Sequence, residues 1–331
     1  MEGRRKGWGY DRGSEETGEI WLFGDASYST YDFLFFPLVL LASTAALVGN
    51  VLFILLIQAN RHLHTPMYFF LSQLSIMDLI IMSTVVPKMA ANLLLGHKVI
   101  SWGGCAIQVF LVVMVGGAEC FLLAVMAYDR YVAVCHPLRY PVLMNWKACS
   151  LLALASWMDG LIQAIFTLSF PYCGSQEIDH FFCEVPAILK LACADTSLYE
   201  TMIYVCCIIM LLLPFSVISA SYLRILVAVL HMRSAEGRQK AFATCSSHMA
   251  VVSLFYGAAM ITYMRPQAYH SSKQDKVVSA FYTMITPMLN PLIYSLRNKE
   301  VAGAFRKLLG RCPSPADVGS GAWEFGLAYV V

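Results

Sequence analysis

Two carboxylates stand in stretches that are otherwise uncharged. Met67–Val86 carries only Asp78, and Cys105–Tyr128 carries only Glu119. An acid inside a membrane-embedded helix costs about 3 kcal/mol or more, so it normally turns toward the protein interior and a partner. If Asp78 and Glu119 share one site, they resist joint ionisation and would hold a sodium ion or a shared proton between them. The alternative is two separately hydrogen-bonded packing acids, because structural networks also hold buried carboxylates. Glu119 and Arg130 lie eleven positions apart. That spacing returns to nearly the same helical face about 16 Å along the axis. One stripe thus carries an acid in mid-helix and, three turns on, an arginine beside Asp129. A third acid, Asp159, follows Trp157 by two positions and has no evident partner in the sequence.

These charges need long apolar elements to position them. Of the 331 residues, 58% are hydrophobic and 13% charged, about half the charged share of a soluble domain. The net charge of +2 is too balanced for a nucleic-acid footprint. Abundant Leu, Val, Ile and Phe exclude a disordered chain. The apolar residues fall in long blocks: Phe33–Ile57, Met67–Val86, Cys105–Tyr128, Ala148–Phe170, Thr201–Leu223, Ala241–Met264 and Val277–Leu296. Each approaches the roughly 20 residues that cross a bilayer as a helix. The reading is an all-α membrane protein, a bundle of seven transmembrane helices, with its termini on opposite sides of the membrane.

Lys and Arg near the span ends set the orientation. One set of connections carries thirteen, among them Arg61, Arg130, Arg139, Arg224, Arg238 and Arg297, and the opposite loops carry six. The richer side is expected to be cytoplasmic and the N-terminus extracellular. No signal peptide is evident, since Arg4–Lys6 is followed by polar residues and no apolar stretch. Lys299–Leu309 sets Val301, Phe305, Leu308 and Leu309 against Arg306 and Lys307, the pattern of a short amphipathic eighth helix lying at the interface. Cys312 just beyond it is a candidate for palmitoylation. The chain therefore divides into an extracellular segment, 1–32, a membrane domain, 33–310, and a cytoplasmic tail, 311–331.

Eleven cysteines separate by compartment. Cys105, Cys173, Cys183 and Cys193 fall on the outer side, where four cysteines can pair in three ways. The rest lie in spans or on the reducing side as small packing residues. Pro287 and Pro291 fall one turn apart in the last span. Pro291 removes a backbone donor and frees a carbonyl in the preceding turn, which a membrane helix must satisfy from its neighbours.

Four blocks, in order along these spans, carry a resemblance. They are Leu63-His-Thr-Pro-Met-Tyr-Phe-Phe-Leu-Ser72, Met126-Ala-Tyr-Asp-Arg-Tyr-Val-Ala-Val-Cys-His-Pro-Leu-Arg-Tyr140, Lys240-Ala-Phe-Ala-Thr-Cys-Ser-Ser-His248 and Pro287-Met-Leu-Asn-Pro-Leu-Ile-Tyr-Ser-Leu-Arg-Asn298. Over roughly 33–310 the chain resembles the olfactory receptors, within the rhodopsin-like G-protein-coupled receptors. The resemblance implies an odorant receptor in the plasma membrane that activates a heterotrimeric stimulatory G protein and raises cyclic AMP. Arg130, between Asp129 and Tyr131, matches the arginine that meets the G protein. Asn290, Pro291 and Tyr294 match a seventh-helix switch, and Tyr222 its fifth-helix partner. Asp78 and Glu119 match the family's acidic pair at an ion site. Cys105–Cys183 matches the bridge from the third helix to the outer loop, and Cys173 would then pair with Cys193. Arg238 stands where many such receptors have an acid, so the Asp129–Arg130 latch should be weak.

Family analogy places the odorant in the outer half of the bundle. Spacing from the motifs selects Val109, Val113, Gly116, Gly117, Ile203, Cys207, Met210, Ala259, Met260, Tyr263, Ala280 and Thr283, with Tyr256 at the toggle position. This set is mostly apolar, as suits a small volatile hydrophobe held by one or two hydrogen bonds. No cofactor is expected beyond the possible sodium ion. Cys206, Cys207, Met210 and Met260 also supply soft sulfur that copper(I) would accept, although Met and Cys more often serve as adaptable filling.

Two features depart from the pattern. The chain contains no Asn-x-Ser/Thr sequon, and residues 1–32, with their acidic run at Glu15–Glu19, look foreign to the family. The same fold would serve a chemoreceptor for small metabolites outside the nose. A transporter would call for inverted repeats with paired broken helices, and neither appears. An enzyme is disfavoured by the lack of His-Glu-x-x-His, Gly-x-Ser-x-Gly or an obvious nucleophile.

Overall fold

Apolar length dictates the architecture. The computed structural model describes residues 19–22, 30–95, 99–169, 177–178, 180, 182–188, 197–232, 234–264 and 278–297. Its long helices are α1 (Thr30–Ala59), α2 (Pro66–Leu95), α3 (Trp102–Cys135), α4 (Trp146–Leu168), α5 (Ser197–His231) and α6 (Ala235–Tyr263). A π-helical turn, Phe281–Ile285, leads into α7 (Thr286–Arg297). Among the described residues, six stretches are long and apolar enough to cross a bilayer: Phe36–Ala59, Pro66–Asn92, Trp102–Cys135, Trp146–Leu168, Ile208–His231 and Cys245–Tyr263. The seventh apolar block is helical over 278–297, but the π turn divides it and leaves α7 only 12 residues long. It is therefore not one of the six. The eighth-helix segment, Cys312 and the tail 311–331 lie outside the described residues.

Local chemistry sets several helix starts. The Ser101 hydroxyl accepts from Gly104 N–H at 3.1 Å, Asn145 Oδ1 from Ala148 N–H at 2.9 Å, and the Ser234 hydroxyl from Gly237 N–H at 3.2 Å. Each satisfies one amide that the first helical turn leaves unpaired. These caps begin α3, α4 and α6.

α3 is the central post, packed against α2, α4, α5 and α6. Its Val115, Ala118, Leu122, Leu123 and Met126 are buried in one cluster with Phe53, Phe70 and Met77. α4 approaches so closely at Gly160 that a Cβ there would lie 1.9 Å from the Met114 carbonyl oxygen. Only a residue without a side chain permits that crossing. The outward faces remain apolar, as on Leu41, Leu151, Leu213 and Phe242, each more than half exposed, which suits lipid as the surrounding solvent.

The all-α bundle carries one small sheet that the sequence did not announce. Glu19–Leu22 forms a strand, β1, between β2 (Val99–Ser101), which pairs antiparallel, and β3 (Glu177–Ile178), which pairs parallel. Ile20 and Leu22 alternate inward and are fully buried, with Ile100, Ile178 and Val185 around them. The period of two buries their apolar side chains and ties part of segment 1–32 to the end of the bundle. Helix α1 likewise starts at Thr30, inside that segment.

Candidate functional site

Below this small sheet the helices enclose a cavity of about 310 Å³. Of the residues expected to face a ligand, Val113, Gly116, Gly117, Met210, Ala259 and Tyr263 line it. Val109 is buried instead in the cluster under the sheet. Met260 packs against the central core, and Ala280 against the cluster between α1 and α2. Thr283 is buried in the π turn. Tyr256 is buried beside the cavity, and its hydroxyl donates to the Cys120 carbonyl at 3.0 Å. The side chains of Ile203 and Cys207 lie outside the described residues, as do Cys173 and Cys193.

The cavity also has a wall that sequence reasoning missed. Helix α4 contributes Ile162, Gln163, Phe166 and Thr167. Gln163 Nε2 donates to Asp159 Oδ2 at 2.6 Å, which supplies the partner that Asp159 lacked in the sequence. Their i,i+4 spacing, with small Gly160 and Ala164 on the same side, was the available signal. Tyr282 of the π turn and Val185 complete this end.

The roof is pinned at two places. Cys105 and Cys183 are bridged. Gln108 Nε2 donates to the Thr84 carbonyl at 3.1 Å, and Gln108 Oε1 accepts from Cys183 N–H at 2.8 Å. Glu184 accepts hydrogen bonds from the Ser279 hydroxyl at 2.6 Å and from the Tyr282 hydroxyl. His180 Nε2 lies 3.3 Å from the same carboxylate. These contacts join the loop before α5 to α2, α3 and the π turn.

Asp78 and Glu119 both line the cavity. Asn290 Nδ2 donates to Asp78 Oδ2 at 3.0 Å and Oδ1 at 3.3 Å. Glu119 Oε1 and Asn290 Oδ1 are buried and accept no hydrogen bond among the described residues. Carboxylate and amide oxygens are the donor type that a hard cation would take.

At the far end of α3, Arg130 donates to Asp129 Oδ2 from Nη2 at 2.6 Å and from Nε at 3.1 Å. Tyr140 donates to the other Asp129 oxygen at 2.9 Å. Burial, with the Asp129 carboxylate beside it, pushes the Tyr140 phenol above its ordinary range, so it stays a donor. Tyr131 pairs with His136 at 3.0 Å. Tyr222 does not hydrogen-bond Tyr294. It stacks on His248 of α6 with a 2.6 Å contact to Nδ1, while the buried Tyr294 hydroxyl has no partner among the described residues. One end of the bundle thus holds a cavity and the other the paired Asp129 and Arg130.

A membrane bundle with a roofed cavity and a paired Asp129–Arg130 beside Tyr131 has the form of a receptor, and comparison with known proteins gives the class. The family model for olfactory receptors matches residues 38–311. Human Olfactory receptor 2T8 is 62% identical over 281 residues, covering 84% of this chain and 90% of that protein. Mouse Olfactory receptor 2V1 is 61% identical over 295 residues, 88% of this chain and 94% of its own. Human Olfactory receptor 2T12 is 58% identical over 300 residues, 89% and 94% respectively.

The chain belongs to the olfactory receptor family. It is a multi-pass membrane protein and a G-protein-coupled receptor, not an enzyme.

Proposed function

We propose that this protein is an odorant receptor that binds small hydrophobic volatiles in the cavity and activates a stimulatory G protein to raise cyclic AMP. The observation that carries the reading is the cavity itself, about 310 Å³ with mostly apolar walls and a bridged roof. That volume is at the small end of ligand pockets and suits a molecule of volatile size. Val113, Met210, Ala259 and Tyr263 give the ligand apolar contact.

In this reading 278–297 is the seventh span, the N-terminus is extracellular and the cytoplasmic C-terminal segment begins with an interfacial helix. Arg130, with Asp129 and Tyr131, meets the G protein once the latch opens, and Asn290, Pro291 and Tyr294 carry the α7 movement. Asp78, Glu119 and Asn290 would hold a sodium ion, which would lock the closed arrangement by differential affinity for it. Cys173 pairs with Cys193, and Cys312 carries a palmitate.

The test is odorant-evoked cyclic AMP, sulfur volatiles included, in cells gated for surface display of an N-terminally tagged receptor. Evoked cyclic AMP that disappears when the stimulatory Gα is deleted supports the reading. A response that survives the deletion contradicts the coupling.

A further inference from the structure

The cavity is apolar on most sides, and its α4 wall carries an amide held in one orientation. Gln163 Nε2 is committed to Asp159 Oδ2 at 2.6 Å. A carboxylate accepts and an amide N–H donates, so the nitrogen turns toward Asp159 and the oxygen turns away. Asp159 does not line the cavity, whereas Gln163 does. Gln163 Oε1 accepts no hydrogen bond among the described residues. The amide lies against Gly117, where an added Cβ would approach Gln163 Nε2 to 2.7 Å and Oε1 to 2.8 Å. Gly117 therefore makes the space in which the amide sits.

We propose that Gln163 determines ligand specificity by presenting its Oε1 as an acceptor, with Asp159 as its positioning residue, and that the preferred ligands are small apolar molecules with a hydroxyl donor. The inference rests on the reading of the cavity as the ligand site. A ligand hydroxyl would donate to Oε1 while its hydrocarbon body contacts Val113, Phe166 and Met210. The matching methyl ether keeps the oxygen and most of the shape but has no proton to donate. An unmet acceptor makes the discrimination about tenfold, toward the upper end of what one net hydrogen bond contributes.

The test uses full-length receptor in phosphatidylcholine nanodiscs. Its melting temperature is measured against linear, branched and cyclic alcohols of four to ten carbons, each beside its methyl ether. A ligand that binds only the folded state stabilises it by RT ln(1 + [L]/Kd), so equal shifts in melting temperature mark equal ratios of concentration to Kd. We expect alcohols to give equal shifts at about tenfold lower concentration than their ethers. Gln163→Met, of similar volume, should remove the difference while leaving the unliganded melting temperature measurable. Asp159→Asn should shrink the difference below about threefold, because the Gln163 amide can then present either end. A purely structural role for Asp159 would move the melting temperature without moving this ratio.

Equal potency of alcohols and ethers, a ratio preserved in Gln163→Met, or no shift by any alcohol would overturn the proposal. The same pairs are applied in the cyclic AMP assay. Alcohols that bind selectively without raising cyclic AMP would contradict the receptor coupling and leave the Gln163 assignment standing.

Discussion

Asn50 on α1 donates from Nδ2 to the carbonyl of Pro287 at 2.9 Å. That carbonyl is four residues before Pro291, so it is the one whose helical donor the Pro291 ring removes. The same Nδ2 also reaches the Ala46 carbonyl at 3.0 Å. Gly49 lies beside the same proline, where a Cβ would make ordinary contact with the Pro291 ring at 3.4 Å. α1 thus satisfies the break in α7, as lipid cannot.

The relationship can be measured as a coupling. Asn50→Leu should lower the stability of the receptor by about 1–3 kcal/mol, the cost of orphaning a buried polar group. In a Pro291→Ala background the helix supplies its own donor to the Pro287 carbonyl, and the loss should fall by about half or more. A double-mutant cycle on melting in nanodiscs reads the difference. Equal losses in both backgrounds would disprove the coupling.

The sequence anticipated the freed carbonyl but not its partner, because periodicity says nothing about which neighbouring helix turns toward a break. The six long helices were legible for a simple reason: in lipid, apolar length is the structure. Their ends were less so. α3 continues through Asp129 and Arg130 to Cys135 because those two charges neutralise each other. β1 was missed since its four residues become a strand only beside β2 and β3. The α3 side of the cavity was legible through motif spacing, as Val113, Gly116 and Gly117 illustrate. The α4 side was not, because Gln163 gains its meaning from Gly117 on another helix.

Gly160 offers a steric test. Gly160→Ala places a methyl group where the Met114 carbonyl already stands, and overpacking a rigid crossing costs about 1–3 kcal/mol or more. Surface display should drop severalfold. Gly103→Ala is the control, because nothing lies within 4 Å of its added Cβ, and display should match the unsubstituted receptor. Normal display of Gly160→Ala would contradict the α3–α4 packing described above.

The oxygen donors Asp78, Glu119 and Asn290 give a salt-specific expectation. Replacing choline chloride by sodium chloride at constant ionic strength should raise the melting temperature by a few degrees, as a ligand of the closed state does. Glu119→Gln should abolish the difference. Identical melting in the two salts would contradict a sodium ion at this site.

Asp129 holds Arg130 through two hydrogen bonds and accepts a third from Tyr140. Asp129→Asn removes the counter-charge of a largely buried guanidinium, 13% exposed, and should cost about 3–5 kcal/mol of stability in the closed arrangement. Basal cyclic AMP per displayed receptor should rise severalfold. Tyr140→Phe should act in the same direction with a smaller effect, about 1 kcal/mol. Basal signalling at or below the unsubstituted level in Asp129→Asn would argue against a latch.

Arg130→Ala provides the most direct measurement. Odorant-evoked cyclic AMP is recorded from cells matched for surface display of the unsubstituted receptor and the variant. If occupancy of the cavity is transmitted to Arg130, the variant should reach the surface and bind ligand but raise no cyclic AMP. A full cyclic AMP response from displayed Arg130→Ala would contradict that central claim.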